Sequence, residues 1–151
     1  MPTQRAQLRD LYAREGLRAA VIHLNHQTLH RFTAVLHFGD AKLRSACFYD
    51  RENPTAESCP DIPEDASYCI YVKRTAAPLV IGDSPTDPRT VGHPARQEVK
   101  AYCGFPLTDD SGRVYGTMCH FDVQPRPLDH APIDLMEVMA ELLRPDPRPA
   151  R

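Results

Sequence analysis

Hydrophobic residues recur at a helical spacing near both ends of the chain. Across residues 3–27 the apolar side chains fall near a 3.6-residue period, and Gly16 predicts a break, so two short helices or one kinked helix are expected. Residues 128–143 carry a second apolar stripe that ends at Pro145, which predicts a closing helix. Residues 145–151 are mostly proline and arginine and are expected to form a disordered tail.

Two pairs of strands are predicted in the middle of the chain. Residues 31–38 alternate between apolar and polar side chains, as in a half-buried strand, and residues 42–49 follow a tight polar connection that suits an antiparallel hairpin. Residues 101–109 and 113–122 predict a second hairpin, in which Gly112 can take the positive φ that a type I turn with a bulge requires. Antiparallel pairing is therefore expected to dominate the sheet.

Proline-rich stretches at residues 50–65 and 82–94 interrupt the regular structure and are expected to be ordered loops. A short helix at residues 63–73 and a brief apolar strand at 78–81 are predicted between them. Long loops in a small domain often carry function. The order of elements predicts a single α+β domain over residues 1–144, with helices packed on one face of an antiparallel sheet.

The length and charge of the chain limit the classes of function. Its 151 residues suit one domain, and 18 Lys+Arg against 20 Asp+Glu give a formal charge of -2 without a basic stripe, which argues against a nucleic-acid partner. No apolar stretch reaches the about 18 residues that a membrane helix needs, and the N-terminus lacks the apolar segment of a secretory signal. No membrane contact and a cytoplasmic location are expected. A chain of this size leaves no room for an output domain, so any signal is expected to pass to a separate partner.

The five cysteines include no Cys-x-x-Cys pair, so neither a disulfide framework nor a zinc knuckle is indicated. Cys103 and Cys119 lie on the two arms of the second hairpin. If Gly112 forms a one-residue bulge, these two residues stand opposite each other at a separation that suits a disulfide or a shared metal. A register shift of one residue would make them face apart, and two buried core thiols are the favoured interpretation.

Three histidines, His23, His26 and His30, follow the i, i+3, i+7 spacing of one helix face. Such a row can hold zinc or haem iron. The strand pattern that begins near residue 29 places His30 past the end of the helix, so a solvated or dimer-facing row is favoured and no metal site is predicted.

Several short motifs occur in an order that resembles the GAF domain, over about residues 16–143. The main ones lie on the second hairpin, where a Tyr-x-Gly-x-Pro-Leu strand is followed by a turn and by Gly-Thr-x-Cys-x-x-Asp. The stretches that carry the resemblance are 68–72, 78–83, 87–89, 102–107, Gly112, 116–119 and 121–122. The resemblance implies a GAF/PAS-like six-stranded antiparallel sheet, with a pocket roofed by the loops at 50–65 and 82–94. It also implies binding of a small ligand, such as a cyclic nucleotide, a tetrapyrrole or a metabolite, and pairing through terminal helices.

Nine residues are candidates for contact with a ligand of unknown identity, and they lie in or beside the predicted roof and the second hairpin. They are Tyr68, Cys69, Asp83, Asp87, Arg89, His93, Tyr102, Cys103 and Cys119. Arg89 could offer a bidentate fork to a carboxylate or phosphate. The favoured alternative is that Asp87 caps a turn and Arg89 pairs with Asp83. His93 could face the pocket or satisfy the start of a helix, and Cys59 lies only loosely where some GAF relatives attach a bilin.

One subfamily that the resemblance brings in is the free methionine-R-sulfoxide reductases, whose attacking thiol lies in Gly-His-x-Ala-Cys. Residues 92–96 read Gly-His-Pro-Ala-Arg, and a guanidinium at Arg96 cannot attack sulfur. Cys69 would at best take the place of a partner thiol. The subfamily's carboxylate pair falls on Cys119 and Phe121, and its glutamate falls on Tyr102.

The sequence therefore predicts a non-catalytic sensory module that binds a small polar or aromatic metabolite. It is expected to form a homodimer through residues 3–27 and 128–143. The first alternative is a thiol-based redox sensor or reductase-like enzyme that uses Cys69, Cys103 or Cys119. The second alternative is a ligand-free scaffold with a filled pocket.

Overall fold

The computed structural model describes residues 3–127 and 132–144, so the predicted tail at 145–151 lies outside the described residues. Six strands alternate in direction: β1 (Phe32–Gly39), β2 (Lys42–Asp50), β3 (Ile62–Pro63), β4 (Leu79–Ile81), β5 (Ala101–Thr108) and β6 (Val114–Asp122). They form one antiparallel sheet in the order β3-β2-β1-β6-β5-β4. The predicted α+β class and antiparallel sheet are confirmed.

Within the described ranges, four α-helices accompany the sheet: α1 (Gln4–Glu15), α2 (Leu17–Asn25), α3 (Cys69–Thr75) and α4 (Ile133–Leu142). Gly16 separates α1 from α2 because its φ of 88° ends the first helix, and its N–H still donates to the carbonyl of Tyr12. The predicted helix at 63–73 is instead β3, a single 3-10 turn at Glu64–Ala66 and then α3. Of the predicted closing helix, residues 128–131 are outside the described part of the chain. No helix among the described residues is long and apolar enough to cross a membrane.

The first hairpin turns through Asp40 and Ala41, which both have positive φ as a type I′ turn requires. In the second hairpin Gly112 has a φ of 85°, and the N–H of Asp109 donates to the carbonyl of Arg113, as the sequence predicts. A further bulge then follows at Tyr115, because Thr108 pairs with Val114 whereas Leu107 pairs with Gly116.

This second bulge shifts the register of the hairpin by one residue. Cys103 consequently pairs with His120, and Cys119 pairs with Gly104. Because successive side chains on a strand point to opposite faces, the two cysteines lie on different sides of the sheet. The prediction that Cys103 and Cys119 stand opposite each other is wrong, and the favoured alternative of buried thiols holds for both.

The two faces of the sheet are covered differently. On one face α1, α2 and α4 build a continuous hydrophobic core with the strands. Its largest fully buried members are Leu8, Val21, Leu24, Val35, Leu107, Met118, Met136 and Met139. On the opposite face lie α3 and the long loops, and their packing against the sheet leaves a cavity.

The histidine row is not formed. His23 and His26 lie at the end of α2, whereas His30 is buried and stacks on His120 with ring centroids 6.0 Å apart. The described residues contain no group of three or more His, Cys, Asp or Glu side chains that could hold a metal ion.

Candidate functional site

A cavity of about 300 Å³ lies between the sheet and α3. The floor of the cavity includes Cys119 on β6, which lies next to Ala34 on β1. Larger side chains rise around this floor and form the walls. The cavity is lined by Phe32, Leu36, Leu43, Phe48, Cys59, Pro60, Ile62, Ala66, Ser67, Tyr68, Cys69, Ala95, Val99, Tyr102, Cys119 and Phe121.

The roof comes from two segments, of which one is as predicted. The loop at 50–65 contributes Cys59, Pro60 and Ile62. The loop at 82–94 contributes no lining residue, and its predicted role is taken by Ala95 and Val99, which follow it.

The chemical character of the cavity is apolar and aromatic. None of the described residues that line it is Asp, Glu, Lys, Arg or His. The polar atoms at its wall belong to Ser67, Tyr68, Tyr102 and three thiols. The wall offers no Lys, Arg or His side chain among the described residues to an anionic ligand, and burying such a ligand without a cationic partner costs several kcal/mol.

Hydroxyl and thiol groups converge on Cys69 at one end of the cavity. The hydroxyl of Tyr102 donates to Cys69 Sγ at 3.1 Å, and Thr117 Oγ1 lies 3.1 Å from the same sulfur. Cys119 is two residues after Thr117 on β6, so its side chain lies on the same face of the strand as Thr117 and lines the cavity together with Cys69. Cys69 and Cys119 are both fully buried.

These contacts separate the acidities of the two thiols. Burial favours the neutral form of Cys69, but hydrogen bonds from Cys119, Ser67, Thr117 and Tyr102 outweigh it and lower the pKa of Cys69 to about 6. The pKa of Cys119 is raised well above its usual value by its hydrogen bond to Cys69 and by burial. The pair is thus arranged to hold one negative charge, which lies on Cys69.

A glycine on β5 positions the tyrosine of this cluster. The ring of Tyr102 lies along the strand over Gly104, where a Cβ would come 2.6 Å from the ring carbons Cε1 and Cζ. Any side chain at this position would therefore displace the ring. The Tyr-x-Gly spacing of the motif is explained by this contact, which aims the Tyr102 hydroxyl at Cys69.

Three candidates lie together at a different place, in an open groove of about 810 Å³ beside residues 125–127. Arg89 pairs with Asp87 at 2.6 Å and donates to the carbonyl of Val80 at 2.8 Å. Asp87 also caps the 3-10 turn by accepting from the N–H of Arg89. The predicted cap is confirmed, but the predicted pairing of Arg89 with Asp83 is wrong because Asp87 is the partner.

His93 packs against a residue of the cavity wall, whereas Arg96 lies outside the cavity lining. His93 Nδ1 accepts from the N–H of Ala95 at 3.0 Å, so Nε2 carries the proton and donates to the carbonyl of Ser67 at 3.1 Å. The His93 ring packs on Tyr68 with centroids 4.5 Å apart. Arg96 donates to Thr90 Oγ1 and to the carbonyl of Pro85 and does not line the cavity.

Four of the nine predicted residues therefore meet at the cavity: Tyr68, Cys69, Tyr102 and Cys119. Cys103 lies on the helix-covered face, where its thiol contacts Met136 Sδ at 3.5 Å and burial raises its pKa to about 12. The residues that the sequence prediction missed are chiefly Thr117, Cys59 and the aromatic walls Phe32, Phe48 and Phe121. Period-two alternation from Cys119 does reach Thr117 and Phe121, and this signal could have identified both residues.

Solved structures share this fold. The free methionine-R-sulfoxide reductase from Neisseria meningitidis, determined with its substrate, aligns with a TM-score of 0.70 and 20% identity over 92% of this chain and 83% of that chain. The GAF domain of an Acinetobacter phosphoenolpyruvate-protein phosphotransferase aligns with a TM-score of 0.70 and 11% identity, covering 95% and 92% of the two chains. A phycocyanobilin-bound GAF domain from a cyanobacterial phytochrome aligns with a TM-score of 0.68 and 13% identity, covering 93% and 91%.

At these identities the solved structures establish the fold alone. No curated protein matches the sequence. A family model described as GAF domain matches residues 8–144, which is most of the chain. The chain therefore belongs to the GAF domain family.

Proposed function

We propose that this protein is a sensory GAF module that binds a small, neutral, largely apolar or aromatic molecule in the cavity beneath α3. The observation that carries the proposal is the lining of that cavity, which is apolar and aromatic and includes no Asp, Glu, Lys, Arg or His among the described residues. Its volume of about 300 Å³ lies at the small end of the usual range for ligand pockets. The hydroxyls of Ser67 and Tyr102 offer the few polar contacts that would orient such a molecule.

The same features weigh against a reductase of free methionine sulfoxide, although three such enzymes are structural neighbours. A free amino acid carries an ammonium and a carboxylate, and both need charged or strongly polar partners when they are buried. The described lining of the cavity offers no Lys, Arg or His side chain to the carboxylate, and Arg96 occupies the position of the attacking thiol and donates to Pro85 and Thr90 instead. A non-catalytic role is favoured.

Binding of a neutral fluorescent probe, N-phenyl-1-naphthylamine, tests the proposal. We expect saturable binding with about one site per chain, and we expect Ala95→Phe to weaken it at least about tenfold because the new ring fills the cavity. Val91→Phe is the matched control, since Val91 is in the neighbouring loop and 70% exposed. Absence of saturable binding, or equal weakening by both variants, would contradict the proposal. Native mass spectrometry of freshly purified protein would then weigh any retained ligand.

The remaining parts of the proposal are transmission to a separate partner and pairing of two chains through the terminal helices. Helices α1 and α4 lie side by side in the outer layer, joined by an ion pair between Arg9 and Glu141. This layer is available to a second copy. Light scattering at micromolar concentration would distinguish a dimer from a monomer.

A further inference from the structure

Three of the five cysteines line the cavity, and two of them, Cys69 and Cys119, belong to the same buried cluster. Cys69 is the first residue of α3, Cys119 lies on β6, and Cys59 belongs to the roof. Cys69 Sγ lies 3.1 Å from Thr117 Oγ1, and Cys119 is the next residue on the same face of β6, so the two thiols are neighbours in the wall of the cavity. The fold thus brings together two thiols that are 50 residues apart in the sequence.

The surroundings of the two thiols give them different acidities. Cys69 accepts hydrogen bonds from hydroxyl groups, including that of Tyr102 at 3.1 Å, and these contacts stabilise a thiolate. The pKa of Cys69 is accordingly lowered to about 6, whereas that of Cys119 is raised well above its usual value. A thiolate is the nucleophilic form of cysteine, so Cys69 is the residue suited to attack.

We propose that Cys69 and Cys119 form a redox-active dithiol, in which Cys69 reacts with a small hydroperoxide that enters the cavity and Cys119 closes a disulfide with it. This inference rests on the proposed function to the extent that it needs a cavity accessible to a small molecule. It assigns a regulatory chemistry to the same site.

The reaction has two steps. In the first, the Cys69 thiolate attacks one peroxide oxygen, the O–O bond breaks, and the departing alkoxide takes a proton to leave as an alcohol, or as water for hydrogen peroxide. Cys69 is then a sulfenic acid. In the second step Cys119 loses its proton and attacks the Cys69 sulfur, the S–O bond breaks, and water leaves. Overall the two thiols lose two electrons and two protons, and the peroxide is reduced by two electrons.

The disulfide would tie α3 directly to β6 at the floor of the cavity. It would also remove the thiolate that accepts from Tyr102 and Thr117, so both hydroxyls would have to find other partners. Oxidation is therefore expected to change the affinity of the cavity for its ligand, which couples the redox state to binding.

Cys103 provides a matched control, because it lies on the opposite face of the sheet against Met136, away from the cavity. We expect Cys103→Ala to leave the oxidation unchanged. Cys59 lines the same cavity in the roof, and burial raises its pKa, so it is the competing thiol rather than a control.

The test is oxidation of the reduced, full-length protein with hydrogen peroxide or cumene hydroperoxide, followed by mass spectrometry. Trypsin leaves Cys59 and Cys69 in one peptide, so chymotrypsin, which cleaves after Tyr68, is used to separate them. We expect a disulfide-linked pair of peptides that contain Cys69 and Cys119. In Cys119→Ser the disulfide is lost, and Cys69 is expected to accumulate a sulfenic acid that dimedone traps. Cys69→Ala is expected to slow peroxide consumption at least about tenfold.

A disulfide between Cys59 and Cys69, or oxidation that is equally slow at all five thiols, would overturn the dithiol. Circular dichroism establishes that each variant is folded. Binding of N-phenyl-1-naphthylamine to the same preparations separates the two proposals. If the probe binds and no Cys69–Cys119 disulfide forms, only the dithiol is refuted. If the disulfide forms and the probe does not bind, only the proposed ligand class is refuted.

Discussion

The two faces of the central sheet use the same residue types for different purposes. On the helix-covered face, Cys103 packs against Met136, and burial raises its pKa to about 12. On the opposite face, Cys69 is just as buried, yet its pKa is lowered to about 6 because hydroxyl and thiol groups hydrogen bond to its sulfur. Burial alone therefore does not decide whether a thiol is inert, since the neighbouring donors reverse its effect.

The faces also differ in how completely they are filled. Three helices supply large side chains to one face, whereas α3 and the loops that cover the other face leave a cavity between them and the sheet. Dense packing increases the free energy of unfolding, and an unfilled cavity decreases it because the side chains that line the cavity make fewer contacts. The hollow face gives up stabilising contacts and gains room for a ligand.

The helix-covered face contains one polar region, and acid should destabilise the protein through it. Burial lowers the pKa of His30 from 6.5 to about 4. The negative charge of Asp122 acts in the opposite direction, and the positive charges of Arg126 and Arg51 lower the pKa further. Burial likewise lowers the pKa of His120 to about 3. The unfolded chain therefore binds protons at these residues below pH 6.5, while the folded chain does not until about pH 4.

The free energy of unfolding is accordingly expected to fall as the pH drops from 6.5 towards 4, by up to about 2.7 kcal/mol per pH unit when both histidines contribute. Urea unfolding at intervals across this range measures it. A variant with His30→Asn and His120→Asn should show a flatter profile. An unchanged slope in that variant would mean that these histidines are not responsible.

A pair of leucine truncations tests the difference in packing. Leu24 is buried among the helices, whereas Leu43 is buried at the edge of the cavity. We expect Leu24→Ala to lower the free energy of unfolding by about 3–5 kcal/mol and Leu43→Ala by about 2–3 kcal/mol, because a side chain beside empty space has fewer neighbours to lose. Chemical denaturation of both variants gives the comparison. Equal losses would indicate that the cavity is filled in solution.

Much of this two-faced arrangement could be predicted from the sequence. Alternation along residues 31–38 and the turn residues around Gly112 indicate the hairpins, and Gly16 indicates the break between helices. The register of the second hairpin could not be predicted in the same way. The bulge at Tyr115 lies within a strand, and no turn residue in the sequence indicates it. The shift of one residue is enough to place Cys103 on the opposite face of the sheet from Cys119.

The candidate site was predictable only in part, for a related reason. Tyr102 and Cys119 lie in recognisable motifs, and their faces follow from the register. The contact of Cys69 with Thr117 joins α3 to β6, and nothing in the local pattern specifies how a short helix sits on a sheet. The ion-pair partner of Arg89 could not be chosen from the sequence because two aspartates, Asp83 and Asp87, lie within six residues of it. The 3-10 turn that begins at Pro88 brings Asp87 into contact with the guanidinium.

The Tyr102 hydroxyl is one of four hydrogen-bonding groups that distinguish Cys69 from a merely buried thiol. Tyr102→Phe removes the donor to Cys69 Sγ and keeps the ring over Gly104. We expect a small loss of stability, about 1 kcal/mol, and a rise of about one pH unit in the midpoint of the pH profile for Cys69 alkylation, because the thiolate loses a hydrogen bond. Tyr115→Phe is the matched control on the helix-covered face, where the hydroxyl donates to the carbonyl of Leu143. That variant should lose comparable stability and keep the Cys69 profile, and equal shifts in both variants would show that the Tyr102 hydroxyl does not set the acidity of Cys69.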